Sequence, residues 1–206
     1  KNGADWIKPG KFVGNGPFVL EKWIPQDKIT LVPNKKYWNK DNVHISRITA
    51  LPIENDTTAY QKFKSGEIDW ATNISIEMLD EIKLRDDYHP APMTTTYYYY
   101  LNINNKVLSD VRVRKALSMS FDRKELVEKV TRAGQIPTTA LVPPMEGYTV
   151  AKGNDFNVAE AKKLLAQAGY PNGKGFPKMT VIYNTNEGHK KIAEFMQQQW
   201  KTNLGI

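Results

Sequence analysis

The chain has 206 residues, 40% hydrophobic and 25% charged, with a formal net charge of +7 and no cysteine. That length suits one large domain, or a domain and a half, with a true core. The lack of cysteine excludes disulfides, thiolate metal sites and a cysteine nucleophile, and no apolar run nears the roughly 20 residues that span a bilayer. In chain order, Gly14-Asn15-Gly16-Pro17 punctuates the entry to a strand carrying Phe18, Leu20 and Trp23. The segment Ile24-Pro25-Gln26-Asp27 reads as a turn into a second strand with Ile29, Leu31 and Val32. A third strand is expected over 45–51, ended by Pro52. Helices follow over 57–65, closed by Gly66, and over 76–85, with Ile76, Leu79 and Ile82 on one face.

Residues 97–126, YYYYLNINNKVLSDVRVRKALSMSFDRKEL, are the most informative stretch. Alternation predicts a strand with Leu101 and Ile103 buried. It puts Tyr98, Tyr100 and Asn102 on the open face, and Tyr97, Tyr99 and Leu101 on the other. Tyrosine joins a large apolar body to a polar tip, which suits a surface that receives a ligand. Tyrosine also favours strands for packing reasons alone, so each ring admits a purely structural reading. The chain breaks at Asn105-Lys106, and a helix over 111–120 follows the Ser109-Asp110 cap. Asp122-Arg123-Lys124-Glu125 resembles a capping box, opening a helix that turns Leu126, Val127 and Val130 inward and ends at Gly134. Residues 136–156 are irregular and rich in proline and glycine. Asn157 caps a helix burying Ala161, Leu164, Leu165 and Ala168, which stops at Gly169 before Pro171. A strand over 179–183 leads to the longest helix, 187–203, with Ile192, Phe195, Met196 and Trp200 at helical spacing.

The chemistry of the side chains points to binding. His44, His89 and His189 have no HExxH spacing, and there is neither a G-x-S-x-G elbow nor a P-loop, so no catalytic residue, metal site or cofactor is expected. The lysines are spread along the chain, without a zinc-finger or RNP-like motif, so nucleic acid is not expected as a partner. A basic surface instead suits long-range attraction to an anionic membrane or cell wall. His189 lies at the start of the longest helix, where dipole and free N–H groups favour an anion. A solvated first-turn histidine is the plainer alternative. Asn73 reads as a turn or capping asparagine, Trp70 as core, and Arg112 and Arg114 as ties between loops and acidic neighbours.

Six segments in order resemble the large extracytoplasmic peptide-binding proteins of ABC importers, the oligopeptide- and dipeptide-binding type (solute-binding family 5). They are GNGPFVLEKW (14–23), NKKYWN (34–39), LPI followed by TTAYQKFKSGEIDWA (51–71), the aromatic stretch with DVRVRKAL and DR, AKKLLAQAGYPNG (161–173), and YNTNEGHKKIAEFMQQQWKTNLGI (183–206). The resemblance implies an α/β fold with a mixed sheet and flanking helices, one lobe of a two-lobed periplasmic-binding-protein-like fold of type II. Residues 1–50 would be connecting strands of the neighbouring lobe and 51–206 a peptide-binding lobe truncated at its C-terminus, making the chain an internal fragment. It implies that an oligopeptide is bound between lobes that close on a hinge and is delivered to a membrane permease, by a monomer that is not an enzyme. The setting would be the periplasm, or a lipoprotein on the outer face of the cell membrane.

Carried over by resemblance, Tyr100 falls on a ligand-contacting tyrosine, and Asn73 lies near a peptide-contacting asparagine. His189 falls on a histidine that meets the peptide carboxylate, and Asn102 replaces a pocket-lining glutamate of some members. The expected ligand-binding set is therefore Asn73, Tyr98, Tyr100, Asn102 and His189, with Arg132 a weaker carboxylate partner. The same scaffold also carries nickel, haem and sugar binders and peptide-pheromone receptors, so a different solute or a signalling role stays open.

Overall fold

The computed structural model describes residues 3–91 and 93–206. It divides into two compact units, one ending at Glu54 and one running from Asn55 to Ile206.

The first unit opens with a 3-10 turn, Gly3–Ile7, and is built on a three-stranded antiparallel sheet in the order β1-β2-β3. These strands are β1 (Phe18–Ile24), β2 (Lys28–Pro33) and β3 (Ile48–Ala50), the last shorter than its sequence pattern suggests. β1 and β2 meet in the register Leu20↔Leu31 and Trp23↔Ile29, with a bulge between Leu20 and Lys22. The expected turn closes them: Asp27 N–H donates to Ile24 O at 3.1 Å. Asn34 is buried beside the strand ends and ties them down. Its N–H donates to Pro17 O at 2.8 Å and its Nδ2 to Gly16 O at 2.9 Å.

The second unit is helical. Its elements are α1 (Asp56–Lys64), α2 (Leu79–Ile82), α3 (Val111–Met119), α4 (Arg123–Glu125), α5 (Val158–Gln167) and α6 (Glu187–Leu204). The core lies between α3, α5 and the C-terminal end of α6: Val113, Ala116 and Leu117 pack with Ala161, Leu165 and Leu204, and Trp200 closes one side. Polar groups lock the same layer, where Trp200 Nε1 donates to Leu117 O at 3.0 Å and Asn203 Nδ2 to Ser120 O at 2.8 Å. The end of α6 touches the turn after α5 so closely that a Cβ on Gly173 would lie 2.4 Å from Gly205 O. Both glycines also have φ above +70°, so no other residue fits either place without strain.

Helix ends follow the caps read from sequence at Asp110, Asp122 and Asn157, and the structure adds caps at Asn55 and Asn186. Asn55, Asp110, Asp122, Asn157 and Asn186 each accept a backbone N–H from the first turn they open. Two helices differ from expectation. The helix expected over 76–85 is only α2, because Met78 N–H is drawn to the buried Ser75 Oγ at 3.4 Å and the preceding residues turn. The one expected to end at Gly134 passes from α4 into a π-helix, Leu126–Thr131, and stops at Arg132 with φ 52°. There Arg132 N–H reaches back to Val127 O at 2.9 Å, a five-residue step, while its side chain is held elsewhere.

The strands expected over 97–103 and 179–183 do not form. A ladder needs a partner strand, and neither segment finds one among the described residues. Leu101 packs on the core as expected, but Ile103 is 61% exposed. Alternation stops at Asn102, where a turn begins: Asn105 N–H donates to Asn102 O and Asn104 N–H to Asn102 Oδ1, both at 3.0 Å. Trp70, expected in the core, is 80% exposed, in a segment of turns and bends.

Candidate functional site

The best-built polar cluster joins three segments far apart in sequence. α1 opens on Asn55, whose side chain accepts Thr58 N–H at 2.7 Å. The next residue, Asp56, is only 7% exposed. Its Oδ1 accepts from Asn73 Nδ2 and its Oδ2 from Asn186 Nδ2, both at 3.2 Å. Asn186 caps α6 by accepting His189 N–H at 3.1 Å on Oδ1. Asn55 Nδ2 also donates to Glu187 Oε1. Thr57 Oγ1 and the fully buried Ser75 Oγ share a hydrogen bond of 2.8 Å.

The His189 ring lies against that of Tyr97, with centroids 5.5 Å apart and planes tilted by 36°. So Asn73 is linked through Asp56 to the cap of α6, and Tyr97 lies against His189 in its first turn. Sequence alternation put Tyr97 inward; the structure leaves it 80% exposed beside the imidazole. Tyr99 is the least exposed of the four tyrosines, and burial together with nearby Tyr183 raises its phenol pKa.

Tyr98 and Tyr100 are exposed, as their face requires. Asn102 is exposed and starts a turn, its Oδ1 held by Asn104 and its Nδ2 without a partner among the described residues. No hydrogen bond or ring contact joins these three to Asn73 or His189 among the described residues. They form the open aromatic stretch that runs on from Tyr97. Asp56, Asn186 and Tyr97 were not singled out as site residues. The N-cap pattern at Asn186-Glu187 was a legible signal; the Asp56 link was not.

Beside this cluster lies an open pocket of about 360 Å³, lined by Ile76, Lys129, Val130, Arg132, Lys191 and Glu194. Its cations face carboxylates. Arg132 meets Asp80 at 2.6 Å and Ile76 O at 2.8 Å, Lys191 meets Glu77 at 2.9 Å, and Lys129 meets Glu125 at 2.8 Å. The Lys191 ammonium holds the Glu77 carboxyl below its ordinary pKa. Arg112 ties to an acidic neighbour, as expected, whereas Arg114 meets loop carbonyls and no carboxylate among the described residues. Arg112 forks onto Asp110 and caps Gln167 O at 2.8 Å, while Arg114 donates to Leu108 O and Ser109 O, both at 2.9 Å.

The profile of the bacterial extracellular solute-binding proteins, family 5 Middle, matches residues 1–206. The chain belongs to this family.

Family 5 relatives extend the match. The oligopeptide-binding protein OppA of Bacillus subtilis is 37% identical over 95% of the chain, which spans 38% of that relative. A crystal structure of a periplasmic oligopeptide-binding protein (OppAIV) from Borrelia burgdorferi superposes with a TM-score of 0.92 at 42% identity, over 99% of this chain and 41% of that one. Haemophilus influenzae OppA, solved in complex with RPPGFSPFR, gives 0.85 at 32% identity, over 98% of this chain and 42% of that one. The chain thus spans about two fifths of the length of these relatives. The fold is that of periplasmic binding proteins of this type, and these relatives are binding proteins. Among the described residues no helix is long and apolar enough to cross a membrane.

Proposed function

We propose that this chain is the central part of the peptide-capturing component of an ABC importer. It binds an extended oligopeptide without altering it and hands it to a membrane permease. The observation that carries this reading is the meeting of a helix start that carries His189 with an open aromatic stretch. His189 stands in the capped first turn of α6, Asn73 is linked to that cap through Asp56, and Tyr97, Tyr98 and Tyr100 have exposed rings. An extended peptide offers matching chemistry: a carboxylate for the α6 N-terminus, amides for asparagine side chains and apolar groups for tyrosine faces. The peptide held by the Haemophilus influenzae relative supports the same ligand class. The proposed contact set is Asn73, Tyr98, Tyr100, Asn102 and His189. Residues 1–50 serve as connecting strands to a neighbouring lobe, and the whole acts as a monomer outside the cytoplasm.

The test is calorimetric titration of the complete protein with a mixed peptide series. The parent should bind peptides. The double variant Tyr98→Ala, Tyr100→Ala should bind about tenfold more weakly, since two aromatic contacts are removed. Unchanged affinity in that variant would remove the aromatic stretch from the site.

A further inference from the structure

In an Asn-Gly pair the glycine nitrogen can attack the preceding side-chain amide, since glycine has no Cβ to shield it. The sequence holds three such pairs, beginning at residues 2, 15 and 172, and the first begins outside the described residues. The other two meet opposite surroundings.

Asn172-Gly173 is held. Gly173 N–H donates to Tyr170 O at 3.1 Å. Asn172 has φ 53° and ψ 31°, which turns the Gly173 nitrogen away from the Asn172 side chain. The end of α6 opposes the rotation that would bring the two together, because Asn172 O lies 2.5 Å from where a Cβ on Gly205 would stand. Asn15-Gly16 is open. Asn15 is exposed, and neither its side-chain amide nor Gly16 N–H has a hydrogen-bond partner among the described residues. A Cβ built on Gly16 would meet nothing within 4 Å. The chain is tied down only just beyond, where Asn34 donates to Gly16 O and Pro17 O, so the peptide link between Asn15 and Gly16 is free to turn.

We infer that Asn15 is a site of spontaneous covalent modification in the folded protein, with water as co-reactant, and that the end of α6 shields Asn172 from the same reaction. Gly16 N gives up its proton to hydroxide and attacks Asn15 Cγ. The N–Cγ bond forms, the Cγ–Nδ2 bond breaks, and the amide nitrogen leaves as ammonia after taking a proton from water. Water then opens the five-membered imide at either carbonyl. One product is aspartate; the other is isoaspartate, in which the main chain runs through the former side chain. Nothing is oxidised or reduced. Both products replace a neutral amide by a carboxylate, and isoaspartate also adds a methylene to the backbone. That extra length displaces Gly16 O from Asn34 Nδ2 and loosens the clamp at the open end of the β1-β2 hairpin.

The complete protein is aged in mildly alkaline buffer made with heavy-oxygen water, and tryptic peptides 12–22 and 164–174 are followed by mass spectrometry. In the folded protein, peptide 12–22 should take up label at least about tenfold faster than 164–174, because Asn172 must wait for local opening. In urea the two rates should converge. Equal rates in the folded protein, or a tenfold difference that persists in urea, overturn the inference. Amide hydrogen exchange reads the consequence at Asn34, whose N–H donates to Pro17 O at 2.8 Å. Exchange there should be faster in the isoaspartate fraction and unaltered in freshly prepared Asn15→Asp, which carries the charge without the added methylene. An unaltered rate in the isoaspartate fraction, or the same acceleration in Asn15→Asp, overturns the loosening of the clamp.

Discussion

Along α6 the last turns and the first turn meet different chemistry. Met196 and Leu204 are buried, and Trp200 covers the layer shared with α3 and α5. At the other end, His189 and Asn186 sit among amides, a buried carboxylate and an open tyrosine ring. One end is held by apolar burial and close backbone approach, the other by directional hydrogen bonds to the start of α1 and, through Asp56, to the Asn73 segment. The contrast teaches that, on the proposed function, stability and recognition fall on separate parts of one helix. A helix anchored at its far end can present its N-terminus without the ligand having to order it.

Changes at the two ends should therefore have different signatures. The largest effect is expected from Leu165→Ala, which opens a cavity in the packed layer where Leu165 is 1% exposed. It should cost about 2–5 kcal/mol, read as a lower urea midpoint, while the folded fraction binds ligand as before. A matching loss of ligand affinity in that fraction would break the separation. The Tyr98→Ala, Tyr100→Ala variant sharpens it from the other side. Its rings are exposed, so stability should stay within about 0.5 kcal/mol of the parent while affinity falls.

The smallest effect concerns acid. The Arg112 guanidinium beside Asp110 holds its carboxyl at about 2, below the ordinary 3.8. A lowered carboxylate pKa stabilises the fold above the ordinary value, and that contribution is lost as pH falls through the folded one. Asp110→Asn should therefore flatten the decline in thermal midpoint between 3.8 and about 2, only slightly because the pair is exposed to solvent. An unchanged acid limb would show that the pair adds nothing to stability.

Much of the helical unit was legible because its signals are local. A cap such as Asn157 and a stop such as Gly169 lie within one turn of the helix they bound, and α5 duly runs from Val158 to Gln167. The two strands of the β1-β2 hairpin were legible from alternation and the turn between them. What failed depended on distant partners. The tyrosine stretch alternates like a strand, but strand pairing is decided by a neighbour that the local pattern does not name. The left-handed Arg132 that ends the π-helix is fixed by Asp80 and Ile76, 52 and 56 residues away. For the site, His189 and Asn73 were chosen by resemblance. Asp56, which links their segments, bonds 17 residues ahead to Asn73 and 130 ahead to Asn186, beyond any local motif.

The central claim is that the open aromatic stretch and the α6 N-terminus together hold an extended peptide. Native mass spectrometry of the complete protein, purified without denaturation, tests it most directly. The account expects a family of co-purified peptides of restricted length and varied sequence. A single bound non-peptide solute, such as a metal chelate or a sugar, would contradict it.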